Sequence, residues 1–176
     1  MAIFAKALGN GFPIGAIIGS RAAMEGAHRS FISSTYWTEG IGPTAALATL
    51  RKMERVKAHE HAAQIGAAVS TAWKAHAAEQ GLRIHTGDGY PCLAHFRFLD
   101  ENSETLRTLY TQMMLERGFL GGVSIYPTMA HTADIVRLYD AAVSEVFAVL
   151  ARAVRQDCVD SLLRGPVAHS GFRRLN

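Results

Sequence analysis

The chain has 176 residues, of which 49% are hydrophobic and 19% charged, and its formal net charge is +3. This composition is that of a globular protein and excludes a disordered chain, and the dispersed basic residues form no stripe of the kind that binds nucleic acid. Two cysteines, Cys92 and Cys158, are too few for a disulfide framework, and no apolar run approaches the roughly 18 residues of a membrane span, so we expect a cytoplasmic protein.

The first segment predicts two apolar strands joined by a glycine turn. The strands cover residues 1–5 and 14–19, and both are apolar on all sides, as in a sheet that is covered on its two faces. Lys6 follows the first strand directly. A lysine at the lip of a buried strand is partly desolvated, and desolvation favours the neutral amine. A neutral amine can attack a carbonyl group, so Lys6 is a candidate for Schiff-base chemistry.

Helices follow this segment. Ser20 predicts an N-cap for a short helix over residues 21–26, and residues 27–40 predict a polar and aromatic loop. Pro43 is a favourable first-turn residue and predicts the start of a long helix. A second helical stretch over about residues 58–80 is rich in alanine and ends before a glycine, which is a common C-cap signal.

The pattern changes after residue 81. Residues 82–85 predict a short strand, and the alternating residues 91–98 predict a half-buried one. Ser103 predicts the cap of a helix that Gly118 ends, and Thr132 predicts the cap of the last helix. Between these two helices, the glycines of the segment 119–126 predict a broken strand.

In residues 6–16 a lysine after an apolar strand is followed by a Gly/Asn-rich triplet, a proline and a strand of small residues. This block resembles the cofactor-lysine segment of the class III, fold type I enzymes that depend on pyridoxal 5'-phosphate (PLP), namely the aminotransferases and the glutamate-1-semialdehyde aminomutases. The triplet here contains Asn10, whereas the commoner version is all glycine. Residues 33–46 resemble the loop that carries a threonine and opens a long helix, with 38–43 replacing the usual Ser-Gly-Asn-Pro.

This resemblance implies a cofactor and roles for particular residues. Lys6 would form the Schiff base with PLP and transfer protons during the reaction. Thr35 would bind the cofactor phosphate of the neighbouring subunit, with Ser34 as the adjacent alternative, so the site would be shared across a homodimer. Without the resemblance, Lys6 would be read as a surface lysine and Thr35 as a turn or capping residue.

The remaining candidates favour structural roles. In the sequence His59-Glu60-His61 the two histidines lie two positions apart, so on a helix they point in different directions and do not share an ion; we expect no metal. Arg97 and Arg137 are the side chains that could bind a substrate carboxylate bidentately, although surface arginine is the simpler interpretation for each.

The resulting fold class is α/β, in which a remnant of the fold type I PLP-binding large domain (residues 1–57) precedes an α+β small domain (58–156) and a flexible tail (157–176). The chain resembles the C-terminal portion of such an enzyme, acting on a small-molecule amino acid or amino-aldehyde. The alternatives are a catalytically inactive fragment, a non-catalytic interaction module, and one half of a split enzyme.

Overall fold

The computed structural model describes residues 1–169 and residue 171 and divides into two units, Met1–Lys57 and Ala58–Asn176. In the first unit, strand β1 (Ala2–Phe4) pairs antiparallel with β2 (Ala16–Ile18), so that Ala2 lies opposite Ile18. The predicted pair of strands is therefore confirmed, although both are shorter than predicted. The prediction that both faces are covered is wrong for the described chain, because the two strands form a ribbon with mostly exposed side chains.

The helices of the first unit begin and end close to their sequence signals. Helix α1 (Arg21–Met24) is capped by Ser20, whose Oγ accepts a hydrogen bond of 3.4 Å from the Ala23 N–H, as predicted. A 3-10 segment (Glu25–Arg29) and a loop lead to helix α2 (Ile41–Val56). Lys57 ends α2 in the left-handed conformation, with φ of 50°.

The second unit begins with helix α3 (Ala58–Gln80), which runs unbroken through Gly66 and ends before Gly81, where φ is +73°. Gly66 marks a close approach, because a Cβ built there would lie 1.8 Å from the Pro91 carbonyl oxygen. The helix thereby packs against a 3-10 turn, Pro91–Leu93. The sequence predicted a strand over residues 91–93, where the structure has this 3-10 turn, so the prediction is wrong for these three residues.

The small sheet of the second unit is shorter than predicted. Strand β3 (Ile84–Thr86) pairs antiparallel with β4 (Phe96–Phe98). The predicted broken strand is reduced to one bridge between Ser124 and His95, flanked by the hydrogen bond from the Ile125 N–H to the Ala94 carbonyl at 2.9 Å. The alternation of buried and exposed residues nevertheless holds from residue 93 to 98.

Two further helices enclose this sheet. Helix α4 (Ser103–Glu116) is preceded by Asn102 at the N-cap, one residue before the predicted cap, and ends before Gly118, where φ is +83°. Helix α5 (Ala133–Arg155) is capped by Thr132 as predicted, through its Oγ1 and the Ile135 N–H. None of the helices in the described part of the chain is both long and apolar enough to cross a membrane.

The core of the second unit is built from the inner faces of α3, α4, α5 and β4. Phe96 lies at its centre, with ring contacts to Trp73 at 4.8 Å and to Tyr110 at 5.3 Å between centroids. The most completely buried side chains are Trp73, Tyr110, Phe96, Phe147, Leu106, Leu109, Met114, Leu150, Val69, Val143 and Val146.

The segment after α5 lies along α4. The Gln112 amide donates to the Leu162 carbonyl at 3.0 Å and accepts from the Arg164 N–H at 2.9 Å, and Thr108 Oγ1 accepts from the Ala168 N–H at 3.1 Å. These hydrogen bonds join the described residues 162–168 to α4, and the flexible tail from residue 157 stays a prediction. The sequence could not show these contacts, because they join polar side chains to backbone. The remaining tail positions, 170 and 172–176, lie outside the described residues.

Candidate cofactor site

Lys6 opens a 3-10 turn, Lys6–Leu8, directly after β1. Its backbone is left-handed, with φ of +55°, a conformation that costs a non-glycine residue of the order of 1–2 kcal/mol. Strain of this kind is concentrated at functional sites. The Lys6 side chain is exposed, and so are the residues of β1. The sequence predicted that the strand would partly desolvate the amine, but the described residues of β1 do not do so. The amine is instead accessible to a small molecule.

The glycine turn after Lys6 is tight and depends on its glycines. A Cβ at Gly9 would lie 2.2 Å from the Phe12 carbonyl oxygen, and Gly11 has φ of +107°. Three backbone hydrogen bonds of 3.1–3.2 Å close the turn, from the N–H groups of Leu8, Asn10 and Phe12. The turn that carries Lys6 is therefore held in one shape by close backbone packing.

The same segment packs against the first turn of α2. A Cβ at Gly42 would lie 2.7 Å from the Pro13 carbonyl oxygen, so glycine permits the approach. The 3-10 turn with Lys6 also contacts α2. The two blocks that the sequence singled out are thus neighbours within the first unit.

The loop with Ser34 and Thr35 precedes α2. The Ser34 hydroxyl accepts a hydrogen bond of 3.2 Å from the Tyr36 N–H, and the Ser34 carbonyl accepts one of 3.3 Å from the Trp37 N–H. Thr35 is exposed, and its hydroxyl has no hydrogen bond within the described residues. Both hydroxyls keep a proton to donate, which suits a phosphate, but no hydrogen bond joins either residue to Lys6 in the described chain.

Glu39 caps α2, a role that the sequence did not predict. Its carboxylate accepts hydrogen bonds from the Ile41 N–H at 2.7 Å and from the Gly42 N–H at 3.2 Å. The Glu39 N–H donates to the Tyr36 carbonyl at 3.1 Å. An acidic residue just before a helix was the available signal, because such residues favour the positive end of the helix dipole.

Among the other candidates, His59, His61 and Arg137 have structural partners. His59 Nε2 lies 3.9 Å from the neighbouring carboxylate of Glu60, and His61 Nε2 lies 3.0 Å from the His131 carbonyl. Arg137 pairs with Asp134 on the same helix face, and Arg97 is exposed on β4. Among the described residues, no group of three or more His, Cys, Asp or Glu side chains is placed to hold a metal ion.

The second unit contains a cavity of about 220 Å³ beside a buried hydrogen-bonded chain. Tyr139 lines this cavity, and its hydroxyl accepts from Trp73 Nε1 at 3.0 Å and lies 2.8 Å from the Tyr110 hydroxyl. Burial raises the pKa of Tyr110, and the nearby Tyr139 raises it further; burial also raises the pKa of Tyr139. Both hydroxyls therefore stay protonated, and their role in the described chain is to join α3, α4 and α5.

Known proteins resemble this chain over most of its length. The family described as "Aminotransferase class-III" matches residues 1–141. An aminopentol aminotransferase of Sphingopyxis macrogoltabida is 26% identical over 159 residues, which is 86% of this chain and 36% of that protein. The chain thus spans little more than a third of this relative.

Solved structures share the fold. The PLP internal aldimine form of the FumI protein of Sphingopyxis sp. MTA144 has a TM-score of 0.74 and 22% identity, over 92% of this chain and 39% of that one. An omega-transaminase of Sphaerobacter thermophilus has a TM-score of 0.70 and 18% identity, over 85% of this chain and 38% of that one. A transaminase with PLP bound has a TM-score of 0.69 and 20% identity, over 87% of this chain and 39% of that one.

These likenesses establish the fold of the chain as that of a part of PLP-dependent transaminases. The cofactor of this family is PLP, and the exposed amine of Lys6 beside its glycine turn fits the attachment of an aldehyde. With the family match covering residues 1–141 of 176, the chain belongs to the class-III aminotransferases.

Proposed function

We propose that this chain carries the cofactor lysine of a PLP-dependent amino-group transferase, and that this lysine is Lys6. The observation that supports the proposal most directly is the left-handed backbone of Lys6, held at the start of a closed glycine turn with its side chain exposed. Strained backbone conformations cluster at functional sites, and an accessible lysine amine can form a covalent bond with an aldehyde. The resemblance of residues 6–16 to the cofactor-lysine segment points to the same residue.

The chemistry divides between the cofactor and the protein. When bound, PLP supplies an aldehyde carbon and a ring that withdraws electrons from the substrate. Lys6 Nζ would hold the cofactor at its aldehyde carbon, with release of water as that bond forms, and the substrate amine would later displace it. Once displaced, Lys6 Nζ would take a proton from the substrate carbon and return it at a second carbon, so the lysine would consume no net proton.

Ser34 and Thr35 are proposed to bind the phosphate of the cofactor. Hydroxyl groups donate to phosphate oxygens, and the Thr35 hydroxyl is exposed in its loop. The Ser34 hydroxyl already accepts from the Tyr36 N–H, so its own proton is available to an anion. The loop makes no hydrogen bond to Lys6 among the described residues, which suits a homodimer in which each loop serves the partner's lysine.

The substrate is proposed to be a small molecule that carries a primary amine, such as an amino acid or an amino-aldehyde. The names of the relatives, an aminopentol aminotransferase and an omega-transaminase, extend this range to other amines. Transfer of the amino group to a second molecule and its transfer within one molecule, as in an aminomutase, use the same lysine. Transamination is the better supported of the two, because the named relatives are aminotransferases.

Covalent labelling tests the role of Lys6. The purified chain is mixed with PLP, reduced with borohydride and digested, and the labelled peptide is identified by mass spectrometry. We expect one adduct, on Lys6, that Lys6→Arg abolishes while charge is retained. Lys52→Arg is the matched control, because Lys52 is an exposed lysine on α2. Labelling spread over several lysines, or labelling unchanged in Lys6→Arg, would contradict the proposal.

Mixed dimers test whether the site is shared. Lys6→Arg chains retain Thr35, and Thr35→Val chains retain Lys6, so only a dimer of one with the other contains one complete site. We expect borohydride labelling of Lys6 in the mixture to exceed that of either variant alone. Equal labelling in the mixture and in Thr35→Val would place Thr35 in the same site as its own Lys6, or outside the site.

One observation is compatible with the alternative of an interaction module. Many large apolar side chains of the first unit are exposed, with Phe31 at 96% and Ile3 at 75%. Exposed apolar patches mark association surfaces. Size-exclusion chromatography separates the two functions when it is combined with labelling: an assembled chain without Lys6 adduct would be an interaction module, and an assembled chain with the adduct would be the proposed enzyme part.

A further inference from the structure

The N-terminus of α2 is where a phosphate would be expected to bind, since the first N–H groups of a helix are unpaired and carry positive partial charge. In this chain the first two N–H groups of α2 already donate hydrogen bonds. The Glu39 carboxylate spans the first two of them, at 2.7 Å from the Ile41 nitrogen and 3.2 Å from the Gly42 nitrogen. A second anion at this position would meet the negative charge of Glu39.

Glu39 also connects the loop to the helix. Its backbone N–H donates to the Tyr36 carbonyl at 3.1 Å, while its side chain is bonded to the first turn of α2. The residues between Ser34 and Gly40 are thereby closed into a compact turn by their own hydrogen bonds. Glu39 therefore fixes both the conformation of the loop before α2 and the start of α2.

The first turn of α2 in turn abuts the segment with Lys6. Gly42 lies so close to the Pro13 carbonyl that a Cβ there would be 2.7 Å from its oxygen. Pro13 ends the glycine turn that follows Lys6. A shift of the α2 N-terminus would therefore displace the glycine turn that orients Lys6.

We propose that Glu39 is a positioning residue that closes the N-terminus of α2 to phosphate and holds the loop, so that the cofactor phosphate meets the hydroxyls of Ser34 and Thr35. This inference rests on the proposed function for the identity of the anion. The occupation of the helix N-terminus by Glu39 can be tested without any cofactor.

Amide hydrogen exchange of Ile41 and Gly42, measured by NMR on the whole chain, provides the test. Glu39→Ala removes the carboxylate, and the expected result is exchange at both amides that is about fivefold faster, the effect of losing one helix cap. Added inorganic phosphate is expected to slow this exchange again, because it takes the place of the carboxylate. Glu54→Ala is the matched control, since Glu54 is an exposed acid at the other end of α2.

The wild-type chain and Glu54→Ala are expected to show no response of these two amides to phosphate. Unchanged exchange in Glu39→Ala, or slowing by phosphate already in the wild type, would overturn the proposal. If Glu39→Ala does not fold, Glu39→Gln keeps an acceptor oxygen without the charge and is expected to respond to phosphate where the wild type does not. Failure of the proposed function would show instead as absent labelling of Lys6, with the exchange results unaffected.

Discussion

The two units of the chain differ in how much they bury. In Met1–Lys57 the buried residues are Gly9, Gly42 and Ala46, while large apolar side chains such as Phe31 and Trp37 are exposed. In Ala58–Asn176, α3, α4, α5 and β4 enclose a continuous aromatic and aliphatic core. The residues proposed to bind the cofactor all lie in the first unit. Stability and cofactor binding are therefore expected to respond to different sets of substitutions.

This difference has a physical origin. A two-stranded ribbon such as β1–β2 is marginally stable at best by itself, and its apolar side chains here have few neighbours to pack against. The second unit has the buried apolar surface that drives cooperative folding. Local opening is consequently expected at lower free energy in the first unit than in the second.

The largest effect is expected from truncating the core of the second unit. Phe147 is fully buried, so Phe147→Ala should lower the free energy of unfolding by about 3–5 kcal/mol. Phe31→Ala makes the same change at a side chain that is 96% exposed and should cost less than about 0.5 kcal/mol. Denaturant unfolding measures both. Similar costs for the two variants would show that the first unit has a core comparable to that of the second.

A smaller but clear loss is expected at the contact between α3 and the 3-10 turn. Gly66→Ala places a methyl group 1.8 Å from the Pro91 carbonyl oxygen, so backbone must move, at a cost of about 1–3 kcal/mol. Without this contact, alanine would stabilise the helix by up to about 1 kcal/mol. The sign of the change, measured by thermal unfolding, therefore decides whether the close approach exists.

Gly89→Ala is the control for this substitution, because a Cβ at Gly89 would meet no atom within 4 Å. It is expected to leave the melting temperature almost unchanged. Stabilisation by Gly66→Ala would mean that the 3-10 turn lies too far from α3 for the added methyl group to clash with it. The second unit would then be less tightly packed than its core indicates.

The next effect concerns the buried hydroxyl of Tyr139. Tyr139→Phe removes the acceptor of the Trp73 Nε1–H and the partner of the Tyr110 hydroxyl, and should cost about 1–3 kcal/mol. Tyr126→Phe removes a hydroxyl from an exposed ring and serves as the control. Equal stability of the two variants in denaturant would contradict the buried chain of hydroxyls.

The same tyrosines predict an alkaline limit to stability. Burial raises the pKa of Tyr110 and of Tyr139 above that of an unfolded tyrosine, which ionises near pH 10. Above that pH the unfolded chain releases protons that the folded chain retains, so stability is full below about pH 10 and is lost as the pH rises. Unfolding measured between pH 9 and 11, a window of about two units around that value, should show a shallower loss in Tyr139→Phe than in the wild type.

The sequence predicted features whose signals are local. Ser20 and Thr132 cap helices through their own side chains, and Gly81 and Gly118 end helices in conformations that suit glycine. The alternation at residues 93–98 likewise follows from the burial of one strand face. Such signals need only the neighbours of a residue along the chain.

Two of the features that the sequence did not predict, the 3-10 turn and the exposure of Lys6, depend on distant partners, whereas the cap by Glu39 is local. The 3-10 turn at residues 91–93 forms where backbone meets Gly66, 25 positions away along the chain. In the candidate site, Lys6 and the Ser34–Thr35 loop were recognised by motif, but the exposure of Lys6 and the cap by Glu39 were not. Exposure depends on which strands flank β1, and that information is not contained in the residues of β1.

The smallest predicted effect tests the tail of the second unit. Gln112 bonds the backbone at Leu162 and Arg164 through both ends of its amide, so Gln112→Ala should loosen residues 158–169 at a cost of about 1 kcal/mol. Amide exchange at Arg164 measures this, with Gln64→Ala, on the exposed face of α3, as the control. Faster exchange only in Gln112→Ala would assign this segment to the folded second unit. Equally fast exchange in the wild type would support the flexible tail that the sequence predicted, and would confine the stable part of the chain to the core between α3 and α5.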